Sequence, residues 1–281
     1  MTQHTSAHPA SQEAIELDAI IIGAGFSGMY QLMSLRDKLG MKVKVLEAGA
    51  GVGGTWYWNR YPGARCDSES HSYMFYFSKE MVNEWEWSER YPQQPEILRY
   101  LNHVADRFAL RSDILLNTRM HAASYDAGRN RWHVRTEQGQ HFIAQFLITA
   151  VGCLSSANVP QIPGLGDFKG KWYHTGQWPH EGVDFTGKRV GVVGTGSTGI
   201  QTIPVVAAQA SHLTVFQRTA NYSIPARNAP LTETFKRYAK EHSEGIRHIM
   251  NTNTNGHPFR MVDRSVTATH PAEREAIMEA A

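Results

Sequence analysis

Two stretches of the chain share one pattern of apolar and glycine positions. Apolar Ala19–Ile22 leads into glycines at 23, 25 and 28, and Val190–Val193 leads into glycines at 194, 196 and 199. A short unbroken apolar run of this kind reads as a buried strand of a parallel sheet. After the first cluster, Met29, Leu32, Met33 and Leu39 keep the three-and-four spacing of a helix lying on a sheet, and Gly40 supplies its stop. Val43, Val45 and Leu46 predict the next strand, which ends at Glu47. In the second stretch, Leu213–Phe216 is the corresponding strand, followed by Gln217, Arg218 and Thr219. Pro204 falls inside the second helix, where the loss of a backbone hydrogen bond predicts a kink.

Between the two stretches the pattern predicts a helix over Pro95–Phe108 and a hairpin with arms around Ser124 and Trp132–Thr136, turning at Ala127–Asn130. Gln145–Gly152 reads as a strand ending in small residues, and Val159–Gly166 as a Pro/Gly-rich linker. After Pro225 the texture becomes charged, with weak helical spacing at Phe235, Tyr238, Ile246 and Met250. Asn251–Gly256 predicts a turn, and Pro271 opens a last helix that carries no stop signal.

The glycine spacing has a physical reading. The first glycine permits a tight turn, the second lets the backbone approach a pyrophosphate, and the third lets helix pack close on strand. Phosphates then meet the unpaired N–H groups of a helix N-terminus. In each stretch a charged residue stands 24 positions after the first glycine, Glu47 in one and Arg218 in the other. A carboxylate there accepts hydrogen bonds from ribose hydroxyls and repels a 2′-phosphate, which suits the adenosine of FAD or NAD. A guanidinium pairs bidentately with phosphate and suits the 2′-phosphate of NADP. The expectation is an α/β chain with two Rossmann-like units, one for FAD or NAD and one for NADPH. Both are expected to be incomplete because the chain ends early, with the start of a helical insertion after them. The boundaries read as a disordered tail over 1–14, an FAD unit over 15–152, an NADPH unit over 153–225 whose first part (153–187) is linker, and the insertion over 226–281.

Bulk properties narrow the partners. The net charge of +2 over 281 residues gives no general affinity for nucleic acid or an anionic membrane. No apolar run approaches the ~20 residues a membrane helix needs. Cys66 and Cys153 are far apart and read as two reduced thiols of a cytoplasmic protein. The 14 histidines show no metal-ligand grouping, so no metal is expected.

The run from Gly53 to Asp67 carries Gly53, Gly54, Trp56, Tyr61, Pro62, Gly63 and Asp67 in the order G-G-x-W-x-x-x-x-Y-P-G-x-x-x-D. A second run carries Phe168, Gly170, His174, Trp178 and Pro179 as F-x-G-x-x-x-H-x-x-x-W-P. Together with the two glycine turns, these runs resemble the flavoprotein Baeyer–Villiger monooxygenases over roughly Asp18–Asn228, corresponding to the front half of such an enzyme. The resemblance implies FAD, NADPH and O2, with a C4a-peroxyflavin attacking a small-molecule ketone to give an ester or lactone. Gly23, Gly25, Phe26, Ser27, Gly28 and Glu47 would hold FAD, with Trp56 and Tyr73 lining the flavin and Thr55 and Met120 as further cofactor-binding residues. Gly194, Thr195, Gly196, Ser197, Thr198, Gly199, Arg218 and Thr219 would hold NADPH. Asp67, the catalytic carboxylate, would sit beneath the flavin and pair with an arginine that lies beyond Ala281 in the family. None of Arg237, Arg247, Arg260 or Arg264 stands in a matching context.

Plainer readings stand beside these. Asp67 alone is also what a helix-capping loop carboxylate looks like, and Arg65 suits a surface charge as well as a nicotinamide-side contact. Trp56 and Trp58 also suit a core, and His174 suits a hydrogen bond that orients backbone. A non-catalytic module that binds FAD and NADPH, or an oxygenase of nitrogen or sulfur, are the competing functions; the Trp178-Pro179 ending speaks against the latter.

Overall fold

The structure is a computed structural model describing residues 13–221, 225–258 and 268–280. Strand β1 (Ile15–Ile22) turns into helix α1 (Phe26–Met33), which continues as a π-helical stretch over Ser34–Lys38 before strand β2 (Val43–Leu46). Helices α2 (Thr55–Trp58), α3 (Lys79–Glu84) and α4 (Gln94–Arg107) come next. Strands β3 (Ile114–Leu115), β4 (Met120–Asp126), β5 (Arg131–Thr136) and β6 (His141–Thr149) follow. Then come β7 (Arg189–Val193), α5 (Ser197–Ala207), β8 (His212–Phe216), α6 (Glu233–Glu241), α7 (Ser243–Thr252) and α8 (Pro271–Ala280). Two compact units alternate along the sequence. One holds the residues up to Arg60 and Leu98–His180; the other holds Tyr61–Ile97 and the residues from Glu181 on.

The first unit is built on a six-stranded sheet in the order β3-β2-β1-β6-β5-β4. β1 lies parallel to both β2 and β6, with Ile22 opposite Leu46 on one side and Thr149 on the other. β5 and β4 extend the sheet antiparallel. Their turn falls at 127–130, where the Asp126 carboxylate accepts from the Gly128 and Arg129 amides at 2.9 and 3.1 Å and Asn130 takes φ +53°. Leu17, Ile20, Ile22, Leu46, Val134, Phe142 and Ala144 form an apolar cluster with Trp132 and Met120 packed against it. Successive strand residues face opposite ways, so Ala19 and Ile21 are also fully buried, while Met29 and Leu32 bury the inner side of α1. Gly40, at φ +65°, stops this helical segment as expected.

In the second unit β7 and β8 pair in parallel, Val193 opposite Phe216. β7 is parallel but not buried: Val193 is 70% exposed and Phe216 56%. The expectation of a buried strand fails here because, among the described residues, this sheet has two strands only. α5 runs through Pro204 without interruption, and its following turn is closed by the Ala208 amide on the Pro204 carbonyl at 3.2 Å. The expected turn at Asn251–Gly256 starts late, since Asn251 and Thr252 are still part of α7. The Ser88 amide and hydroxyl donate to Glu96 at 2.8 and 2.7 Å, and Glu69 pairs with Arg90. The tail expected over 1–14 lies outside the described residues except for Glu13 and Ala14, and Arg260 and Arg264 lie outside them too. Among the described residues no helix is long and apolar enough to cross a membrane.

Phe142 is fully buried at the centre of the first cluster. Phe142→Ala should cost about 3–5 kcal/mol of unfolding free energy. The check is the urea midpoint of the sheet's circular dichroism; an unchanged midpoint would contradict this account of the core.

Candidate functional site

The two glycine turns are built by the same contacts. Gly23 takes φ +102° and donates its N–H to the Leu46 carbonyl at 2.8 Å; Gly194 takes φ +103° and donates to the Phe216 carbonyl at 2.9 Å. Each first glycine thus ties its turn to the end of the neighbouring strand in a backbone conformation that other residues rarely adopt. A Cβ on Gly28 would lie 1.8 Å from the Gly23 carbonyl oxygen, and one on Gly199 2.4 Å from the Gly194 oxygen. No side chain fits there, so the third glycine sets how closely each helix meets its turn.

The middle glycines obey no such constraint. Gly25 and Gly196 have extended backbone with negative φ. A Cβ on Gly25 would make only an ordinary 3.4 Å contact with Gly54, and one on Gly196 would meet nothing within 4 Å among the described residues. Both glycines are helix N-caps without a side-chain hydrogen bond, and neither helix has an acidic residue in its first turn. The N–H groups at each helix start are therefore left to a partner from outside the helix, and the helix dipole favours an anionic one. An open approach over uncapped amides fits a dinucleotide pyrophosphate.

Glu47 follows β2 and is buried. Its Oε2 accepts from the Ala24 amide and its Oε1 from the Gly49 amide, both at 2.7 Å. The side chain expected at the ribose is thus also a brace for the turn, and each carboxylate oxygen keeps acceptor capacity for a further donor. The Gly53–Asp67 run meets the first turn at its start. Gly53 N–H donates to the Ala24 carbonyl at 3.0 Å, and a Cβ on Gly54 would come within 2.9 Å of the Gly25 Cα. Gly23, Gly25, Gly28 and Glu47 are therefore gathered with Thr55 and the buried Trp56 at the start of α2. Phe26 is half-buried and Ser27 exposed in the first turn of α1, while Met120 opens β4.

In the second unit Thr195, Ser197 and Thr198 follow Gly194 as expected. Arg218 and Thr219 stand exposed just past the end of β8. Gln217, which the sequence did not single out, donates to the Thr195 hydroxyl at 2.8 Å, and Asn221 donates to the Thr195 carbonyl at 2.7 Å. Arg65 and Asp67 also belong to this unit, as does Tyr73, whose N–H closes a turn on Ser70 at 3.0 Å. Cys66, between Arg65 and Asp67, is a free buried thiol that burial pushes up to about 11, whereas Cys153 is free and exposed. His174 accepts from the Gly176 amide at 3.1 Å through Nδ1, the backbone-orienting part expected of it.

Gln201 is the residue that sequence reasoning missed. It sits in the middle of α5, where a glutamine carries no pattern signal. Its Oε1 accepts from the Tyr61 hydroxyl at 2.9 Å and the Arg65 amide at 3.2 Å. Its Nε2 donates to the Arg65 carbonyl at 3.1 Å and to the Asp67 carboxylate at 2.6 Å. Burial, with the Asp67 charge adding to it, raises the Tyr61 hydroxyl above its ordinary value, so it remains a donor at neutral pH.

The flavin-binding monooxygenase-like family model matches residues 18–228. Cyclohexanone 1,2-monooxygenase of Acinetobacter sp is 43% identical over 272 residues, covering 96% of this chain and 49% of that protein. Phenazine N-monooxygenase PhzNO1 of Lysobacter antibioticus is 48% identical over 229 residues, covering 82% of this chain and 42% of its own length. Among solved structures, oxidized steroid monooxygenase bound to NADP superposes with a TM-score of 0.88 at 50% identity, covering 95% of this chain and 51% of the other. The chain spans about half the length of the curated relatives it matches.

Two expectations follow from the geometry. Gly199→Ala should lower the melting temperature by the equivalent of about 1–3 kcal/mol, and Gly196→Ala by distinctly less, the cost of alanine at an N-cap only; equal losses in calorimetry would contradict the close-approach account. An aromatic disulfide reagent at mildly alkaline pH should modify Cys153 rapidly and Cys66 only after denaturation, which mass spectrometry of the labelled peptides would show.

Proposed function

The chain belongs to the flavin-binding monooxygenase-like family, and from that premise we propose that it supplies the FAD and NADPH sites of a Baeyer–Villiger monooxygenase acting on a small hydrophobic ketone. The first turn, with Gly23, Gly25, Phe26, Ser27, Gly28 and Glu47, takes FAD; Trp56 and Tyr73 line the flavin, and Thr55 and Met120 are further cofactor-binding residues. The second turn, Gly194 to Gly199 with Arg218 and Thr219, takes NADPH. Arg65 is a nicotinamide-side contact and Asp67 the carboxylate of the reaction. The assignment of 15–152 to FAD, 153–225 to NADPH and 226–281 to an insertion is part of the same reading.

FAD reduced by NADPH supplies the activation of O2, one atom of which enters the ketone to give an ester or lactone. The chain's own residues bind and orient. Uncapped amides at the starts of α1 and α5 receive the two pyrophosphates. Glu47, already held by two backbone amides, offers its remaining lone pairs to ribose hydroxyls. Arg218, exposed just past β8, offers a planar pair of donors to a 2′-phosphate. Gln201 keeps the Asp67 carboxylate hydrogen-bonded, in place at the end of the Tyr61–Asp67 segment.

The observation that carries this reading is the coexistence of two turns of one construction with opposite charges at their ribose ends. Similarity to a ketone oxygenase and to an NADP-bound steroid monooxygenase supports it. A relative named for oxygenating a phenazine nitrogen makes nitrogen oxygenation the natural competitor, and the Trp178-Pro179 ending favours the ketone.

Arg218→Ala should weaken NADP+ binding about tenfold or more, the scale of a lost bidentate phosphate pair, and leave NAD+ binding within about twofold. Titration calorimetry with both nucleotides decides; equal losses would mean that Arg218 does not read the 2′-phosphate.

A further inference from the structure

All four hydrogen-bonding positions of the Gln201 side-chain amide are used. Its oxygen takes two donors, Tyr61 Oη and Arg65 N–H, and its nitrogen gives two hydrogens, to the Arg65 carbonyl and Asp67 Oδ1. Turning the amide over would set its nitrogen against the Arg65 N–H and its oxygen against a carbonyl and a carboxylate. The orientation is therefore fixed by the partners themselves. The backbone repeats the contact: Gly63 takes φ +79°, and a Cβ there would lie 2.2 Å from the Gln201 carbonyl oxygen. The Tyr61–Asp67 segment thus lies directly on α5 at the point where Gln201 clips it. The clip also reaches the glycine turn, because the Tyr61 hydroxyl interacts with the Thr198 side chain, one helical turn before Gln201.

We propose that Gln201 is a positioning residue through which a dinucleotide bound at the start of α5 holds the Tyr61–Asp67 segment, and with it the Asp67 carboxylate, in a single arrangement. This rests on the reading of the second glycine turn as the NADPH site. Ordering of Thr198 by the bound nucleotide stiffens the first turn of α5, and the chain of contacts from Thr198 through Tyr61 and Gln201 passes that order to Arg65 and Asp67. The coupling is one of restricted motion and needs no change of shape.

Amide hydrogen exchange, read by mass spectrometry on the purified chain with and without saturating NADP+, tests this. In the parent protein NADP+ should slow exchange both at Gly194–Gly199 and at Tyr61–Asp67, the latter by about threefold or more. Gln201→Ala should keep the first protection and lose the second. Gln201→Glu, nearly isosteric, should lose it as well, because a carboxylate would then face Asp67 and the Arg65 carbonyl. Adding Asp67→Asn to Gln201→Glu should restore part of it, since the new amide donates where Gln201 did. A residue that only fills space would not distinguish Gln201→Glu from the parent, nor be rescued at a position so distant in sequence. Nucleotide protection of Tyr61–Asp67 that survives Gln201→Ala, or a double variant no better than Gln201→Glu, would overturn the proposal. Absence of any protection at Gly194–Gly199 in the parent would overturn the nucleotide reading, and the coupling with it.

Discussion

Everything that places chemistry in this chain depends on how closely a helix can approach the turn that precedes it. At Gly28 and Gly199 the backbone of the helix comes so near the carbonyl of the turn's first residue that a single carbon atom has no room. That approach aims the helix start at the strand ends, and the left-handed first glycine bends the chain sharply enough to make it possible. The middle glycine is different in kind. Among the described residues no atom requires it, so its open approach is left to the ligand proposed to meet the backbone amides. The first and third glycines of each turn serve the fold, and the proposed reading gives the middle one to the ligand.

The two units then diverge in what stands at the ribose end. Glu47 is buried and accepts from the Ala24 and Gly49 amides, so its position is part of the scaffold. Arg218 is exposed at the end of β8, and its charge is available to a phosphate at little desolvation cost. In the proposed reading the buried carboxylate would select against a 2′-phosphate and the exposed guanidinium would select for it. Family membership and the ketone and steroid oxygenases among the similar proteins agree with such a pair of sites.

Much of this was legible in the sequence because it rests on short-range rules. The strands beside the glycine turns, the helix stop at Gly40, the hairpin turning at 127–130 and the helix over Gln94–Arg107 each follow from spacing within a few residues. What was not legible is what long-range contact decides. Gln201 meets Tyr61, Arg65 and Asp67 across more than a hundred residues, and neither partner signals the other. The Gly53-Gly54 pair looks like a motif on paper, yet its physical reason is that Gly54 packs on Gly25. The exposure of β7 was invisible too, since an apolar run predicts burial whether or not further strands cover it. The continuation of α7 through Asn251 and Thr252 shows local turn preference yielding to an established helix.

The central claim is that one chain carries two independent dinucleotide sites of opposite ribose preference. Its most direct test is stoichiometry: the purified chain is titrated calorimetrically with FAD, and the FAD-loaded chain is then titrated with NADP+. The account requires one equivalent of each, with FAD remaining bound as NADP+ saturates its own site. Competition between the two nucleotides for a single equivalent would contradict it.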